Sequence, residues 1–153
     1  MIKNEIHNLA RGIIVQDNHI LLVSHPEYWD GNTFYLPGGH IEHRETAVSA
    51  LIRELREEVG YEFGVGRFLG CLEHIFNPTI DITVCHSHEF YFLFLAHSRN
   101  ILDISPIIQQ EAKVKLTWVN MDNLNKINLL PNPLIKLIPI WLKLNFKNSF
   151  VGC

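Results

Sequence analysis

The chain has 153 residues, 47% hydrophobic and 19% charged, the make-up of one folded domain and not of a disordered segment. Lys plus Arg number 13 and Asp plus Glu 16, a net charge of −3 with His neutral, so no basic excess advertises a nucleic-acid or anionic-membrane partner and none is expected. Cys71, Cys85 and Cys153 are odd in number and lack CxxC spacing, which argues against a disulfide framework or a cysteine zinc site. The longest apolar run, Phe90 to Ala96, is too short to cross a bilayer, and Met1 to Glu5 carries no signal core. The expectation is a single cytoplasmic domain over residues 1–153.

In chain order, Ile13-Ile14-Val15 and Ile20-Leu21-Leu22-Val23 flank a polar Gln16-Asp17-Asn18-His19 segment and predict a β-hairpin. Ser24 to Thr33, with Pro26, Asp30, Gly31 and Asn32, predicts a loop. Phe34-Tyr35-Leu36 is a short strand ending at a Pro37-Gly38-Gly39 turn. Glu45 to Val59 predicts a helix, with Val48, Leu51, Ile52, Leu55 and Val59 at helical spacing and Gly60 as the stop. Gly66 to Ile75, Glu89 to His97 and Lys113 to Val119 are strands. The second of these is apolar on both faces and belongs in the middle of a sheet. Leu134 to Leu144 is an apolar helix that Pro139 kinks or breaks. Strands interleaved with two main helices imply an α/β (α+β) domain with a mixed sheet between helices.

The chemistry concentrates in Gly38 to Tyr61, GGHIEHRETAVSALIRELREEVGY. Glu54, Glu57 and Glu58 are related by i, i+3 and i+4 spacing and project from one side of the helix. Such neighbours repel by roughly 0.2–0.5 kcal/mol per pair in an exposed helix, and two of them sit in the last turn, where the helix dipole disfavours anions. One reading is a solvated face with intrahelical ion pairs from Arg53 and Arg56. The other is a hard divalent cation such as Mg²⁺ drawing the carboxylates together, which oxygen ligands suit. The adjacent glycine pair lets backbone carbonyls or amides approach a ligand closely.

This stretch resembles the Nudix box, G-x5-E-x7-R-E-U-x-E-E-x-G-U with U a bulky apolar residue. Gly39, Glu45, Arg53-Glu54, Glu57-Glu58 and Gly60 occupy all seven fixed positions. Tyr61, the last U, is more polar than the usual aliphatic. At ordinary residue usage a chance match is on the order of one in a million. The resemblance implies a Nudix fold, a mixed β-sheet sandwiched between α-helices. It also implies Mg²⁺- or Mn²⁺-dependent hydrolysis of a nucleoside diphosphate linked to another moiety. Glu54, Glu57 and Glu58 and the Gly38 carbonyl then match the family's metal ligands, with Glu54 or Glu57 alternatively holding or deprotonating the attacking water. Glu45 and Arg53 match a structural ion pair tying loop to helix.

Outside the box, Glu89 and Glu111 are the candidates for a further catalytic carboxylate; Glu89 enters the apolar strand as His88-Glu89. Arg11 and His40 are candidate substrate contacts; the alternatives are a strand-edge Arg and a solvent-facing loop His. His74, His86 and His88 read as polar loop residues or substrate contacts more readily than as a zinc site. Tyr28, Trp29, Phe34 and Phe76 suit base stacking or packing. Leu134, Leu137, Ile138 and Trp141 suit a homodimer surface or packing on the sheet. The expected partner is a nucleotide-type small molecule, a nucleoside triphosphate or an ADP-ribose-like sugar nucleotide. The rival is a nucleotide-sensing module without turnover, which has no need of all three acids. Messenger-RNA decapping ranks below both for want of a basic groove.

Overall fold

The computed structural model describes residues 5–26, 32–77, 88–98, 107–109, 114–143 and 149–153. In chain order the elements are β1 (His7–Ile13), β2 (Val15–Gln16), β3 (His19–Ser24), β4 (Thr33–Phe34), β5 (Gly38–His40), α1 (Ala47–Val59), β6 (Phe63–Ile75), β7 (His88–Ser98), β8 (Ile107–Gln109), β9 (Val114–Asn120), a 3₁₀ turn (Met121–Lys126), β10 (Asn128–Leu129), α2 (Leu134–Trp141) and β11 (Phe150–Gly152). A five-stranded mixed sheet has the order β11-β6-β7-β1-β5, with β7 and β1 parallel and β1 and β5 antiparallel. A four-stranded antiparallel sheet, β2-β3-β9-β8, and a β10-β4 pair complete the strands.

Strand alternation explains the layering. Leu9 and Ile13 of β1, Leu72 of β6 and Tyr91 and Leu93 of β7 pack with Leu134, Ile138 and Trp141 of α2. The intervening Ala10, Phe94 and Ala96 pack with Ala50, Leu51, Leu55 and Val59 of α1. Each helix therefore covers one face of the sheet. Thr46 caps α1, its hydroxyl accepting from Ser49 N–H at 3.1 Å, and Gly60 closes it at φ 77°.

Several expectations are corrected. The expected hairpin forms between Val15–Gln16 and β3 through a two-residue Asp17-Asn18 turn, both residues at positive φ, but Ile13 belongs to the other sheet. Ser24 and Thr33 are strand ends, not loop. The expected glycine turn is β5, an edge strand in register with β1 (Arg11↔Gly38, Leu9↔His40). Arg11 lies within β1 rather than ahead of it. The helix starts at Ala47, leaving Glu45 in the preceding turn, and Val48 is 40% exposed. Pro139 does not break α2, which runs on to Trp141 without the one backbone bond that its nitrogen forfeits. Leu134, Ile138 and Trp141 are buried against the sheet, so they provide no subunit surface. Lys113 and Leu144 lie outside the described residues. No helix among those described is long and apolar enough to cross a membrane.

Candidate active site

The site forms where β5 meets the side of α1. Gly38 has φ 124°, and a Cβ there would stand 2.2 Å from the Ala10 carbonyl oxygen, so the position admits only glycine. Its N–H donates to Glu58 Oε2 at 2.8 Å. A Cβ on Gly39 would come within 2.5 Å of the Glu54 carboxyl carbon. The glycine pair thus lets two acids of α1 lie directly against the strand backbone.

Glu58 is half-buried as a residue, but its carboxyl group is well enclosed. Burial pushes its pKa up to about 7; the Arg11 guanidinium and the Gly38 N–H pull it down, while Glu54 and Glu57 push it further up. Glu54 is 18% and Glu57 59% exposed in their side chains. Both face Arg53, whose Nη1 lies 2.8 Å from Glu54 Oε1 and 3.8 Å from Glu57 Oε2. Arg53 also grips Glu45 with both prongs, Nε to Oε1 and Nη2 to Oε2, each at 3.0 Å, and donates to the His40 carbonyl at 3.1 Å. That pairing, with the Glu42 N–H, holds the Glu45 carboxyl below its ordinary pKa and raises the Arg53 guanidinium. One guanidinium therefore ties loop, strand and helix together.

Arg11 reaches the same edge from β1. Its Nη1 donates to the carbonyls of Leu36, at 3.0 Å, and Gly38. Glu89 is buried at 8% exposure in β7 and accepts from the Tyr91 hydroxyl. Burial and the Glu89 carboxylate push the Tyr91 phenol up, with Arg11 opposing. Tyr35 is raised chiefly by burial and His25 is lowered by burial and then Arg11, their rings 6.1 Å apart edge to face. Tyr35, Tyr91 and His25 escaped the sequence reading. The signal for Tyr91 was its place two residues from Glu89, hence on the same strand face.

His40 is exposed, its ring meeting His7 at 5.2 Å, and His43 is exposed in the turn. His74 stacks on Phe76, and His88 lies 2.9 Å from Glu73. Phe34 packs on the α2-side core. Tyr28, Trp29, Cys85, His86 and Glu111 lie outside the described residues. Among those described, no three His, Cys, Asp or Glu side chains stand as a ready metal-binding group. The acids nevertheless fit a hard cation as a donor set. All three are oxygen donors, Glu54 and Glu58 lie beside backbone that only glycine allows, and each now leans on a donor, Glu58 on an N–H and Glu54 and Glu57 on Arg53.

The NUDIX domain model matches residues 6–139. The CTP pyrophosphohydrolase of Escherichia coli (strain K12) is 33% identical over 96 residues, 61% of this chain and 71% of that one. The ADP-ribose pyrophosphatase of Methanocaldococcus jannaschii is 42% identical over 59 residues, 39% of this chain and 35% of that one. The crystal structure of a MutT protein from Methanosarcina mazei Go1 matches with a TM-score of 0.70 at 17% identity, covering 96% of this chain and all of that one, a likeness of fold. With a sheet held between two helices, a full box on strand β5 and helix α1, and a family match from β1 through α2, the chain belongs to the Nudix family of hydrolases.

Proposed function

We propose that the protein hydrolyses a phosphoanhydride bond in a nucleotide-type substrate, with Mg²⁺, or Mn²⁺, as the required cation. The observation that carries this reading is the enclosed Glu58 carboxyl on the Gly38 N–H, with Glu54 and Glu57 close enough to raise its pKa. Three acids within electrostatic reach of one another are costly unless a cation joins them. The Gly38 carbonyl and Glu54, Glu57 and Glu58 would hold it. Bound there, the cation neutralises the diphosphate and lowers the pKa of water.

The remaining work falls to the chain. Glu57, the most exposed of the three acids, would orient or deprotonate the attacking water, with Glu54 as the alternative. Arg53 and Glu45 keep α1 in register with the strand, since loosely held ligands bind poorly. Arg11 offers a positive charge for a phosphate. Glu89, held by Tyr91, supplies a further carboxylate on the sheet, and His40 a contact at the rim. Attack at phosphorus needs mostly positioning and charge neutralisation, which this arrangement provides.

The longer of the two relative matches favours a nucleoside triphosphate releasing pyrophosphate; the shorter favours ADP-ribose. The test is a panel of nucleoside triphosphates and sugar nucleotides incubated with Mg²⁺, with products resolved by chromatography. One class should be cleaved at a single phosphoanhydride, and EDTA should stop the reaction. Binding without cleavage across the panel would favour a sensing module instead.

A further inference from the structure

We infer that Arg11 is a resident cation on the Gly38 carbonyl that a divalent metal ion must displace, so that metal loading frees this guanidinium for the substrate. The inference rests on the proposed use of Gly38, Glu54, Glu57 and Glu58 as metal ligands. Its basis is the direction of three successive carbonyls. The Pro37 carbonyl accepts the Gly12 N–H at 2.9 Å and is committed to the sheet. Those on either side of it, Leu36 and Gly38, both receive Arg11 Nη1. One nitrogen of a cationic group is thus held between two backbone oxygens, the type of donor that a hard metal ion takes. Arg11 also acts on the Glu58 carboxyl, which the Gly38 N–H fixes from the strand side.

A carbonyl oxygen has two lone pairs, so geometry alone would permit sharing. Charge opposes it. A guanidinium nitrogen and a metal ion bonded to one oxygen stand within about 5 Å of each other at most. At that range, in a partly enclosed site, like charges repel strongly. The Arg11 side chain is long, and nothing in its backbone placement within β1 prevents it from turning away while the strand stays in register. Displaced, it still lies beside the acids, facing the place where phosphate oxygens would meet the cation. Metal and phosphate then bind with positive coupling, because the first removes the contact that keeps Arg11 from the second.

The experiment measures Mn²⁺ binding by the electron paramagnetic resonance of free Mn²⁺, without nucleotide, for the wild type, Arg11→Met and Arg11→Lys. Arg11→Met should bind Mn²⁺ about tenfold more tightly than the wild type, and Arg11→Lys, which keeps a charge there, should bind less tightly than Arg11→Met. Equal or weaker binding by Arg11→Met means that Arg11 merely braces the loop, and overturns the inference. A second readout needs no variant: the side-chain ¹⁵N resonances of Arg11 should shift in the wild type as Mg²⁺ is added. Unshifted resonances at saturation overturn the inference even if Arg11→Met fails to fold. Wild-type protein that binds no Mn²⁺ at millimolar concentration overturns the metal reading as well, which separates the two failures.

Discussion

The Glu58 carboxyl couples folding to pH. Its folded pKa of about 7 lies above the 4.5 of an ordinary glutamate. Between those values the folded chain holds a proton that the unfolded chain has released. Glu58 therefore favours folding fully below pH 4.5, and that contribution is lost as the pH rises through 7. At 1.36 kcal/mol per unit the swing is about 3 kcal/mol. EDTA-treated protein should melt at a lower temperature at pH 8 than at pH 5, and Glu58→Gln should flatten the difference in a calorimetric scan. Added Mg²⁺ should raise the Tm more at pH 8, where it meets no proton. Glu57 behaves differently because its side chain is 59% exposed. Glu57→Gln should lower kcat by about a hundredfold or more and leave the Tm unchanged; an active variant at ordinary Mg²⁺ would refute its assignment. These acids were legible because the box is contiguous, so one helix's periodicity places them. Tyr35 and Tyr91 join them through strand pairing across distant segments, which no local spacing encodes.

For the elements, the instructive pair is β5 and α1. Both glycines of β5 face something that a methyl group would strike, but not the same thing. At Gly38 it is the Ala10 carbonyl oxygen, at positive φ; at Gly39 it is the end of the Glu54 side chain. Backbone cannot yield, whereas a carboxylate can. Gly38→Ala should therefore unfold the edge, with a loss of at least about 1–3 kcal/mol in urea titration from the strained backbone alone. Gly39→Ala should keep most of the stability and lose metal affinity instead. Thr46→Ala removes the cap and should cost α1 about 1 kcal/mol, read in the same titration. The helix was legible within two residues at its start and to the residue at its end, because capping and apolar spacing are local. Strand β5 was not, since Pro-Gly-Gly favours turns and only pairing with β1 makes it a strand.

At the scale of the molecule, two packed layers fix where the edge can be. Trp141 is fully buried on the α2 side and lies so close to Gly70 that a Cβ there would come within 2.6 Å of its ring. Trp141→Ala should cost about 3–5 kcal/mol by chemical denaturation, and Gly70→Val should destabilise the same layer from the strand side. The mixed sheet and the central place of β7 were visible in composition and apolar runs. Short pieces such as β10 and β11, which carry little periodicity, were not. Strand β5 ends the five-stranded sheet, and a terminal strand ordinarily invites another chain to add on. Here Glu58 has already claimed the Gly38 amide, and its acidic neighbours stand along that flank. A newcomer would have to strip them of solvent and crowd them. The proposed catalytic rim would thus also guard the protein against sticking to itself, and replacing all three acids by glutamine, which removes their charge, should open a seam for aggregation as well as end turnover.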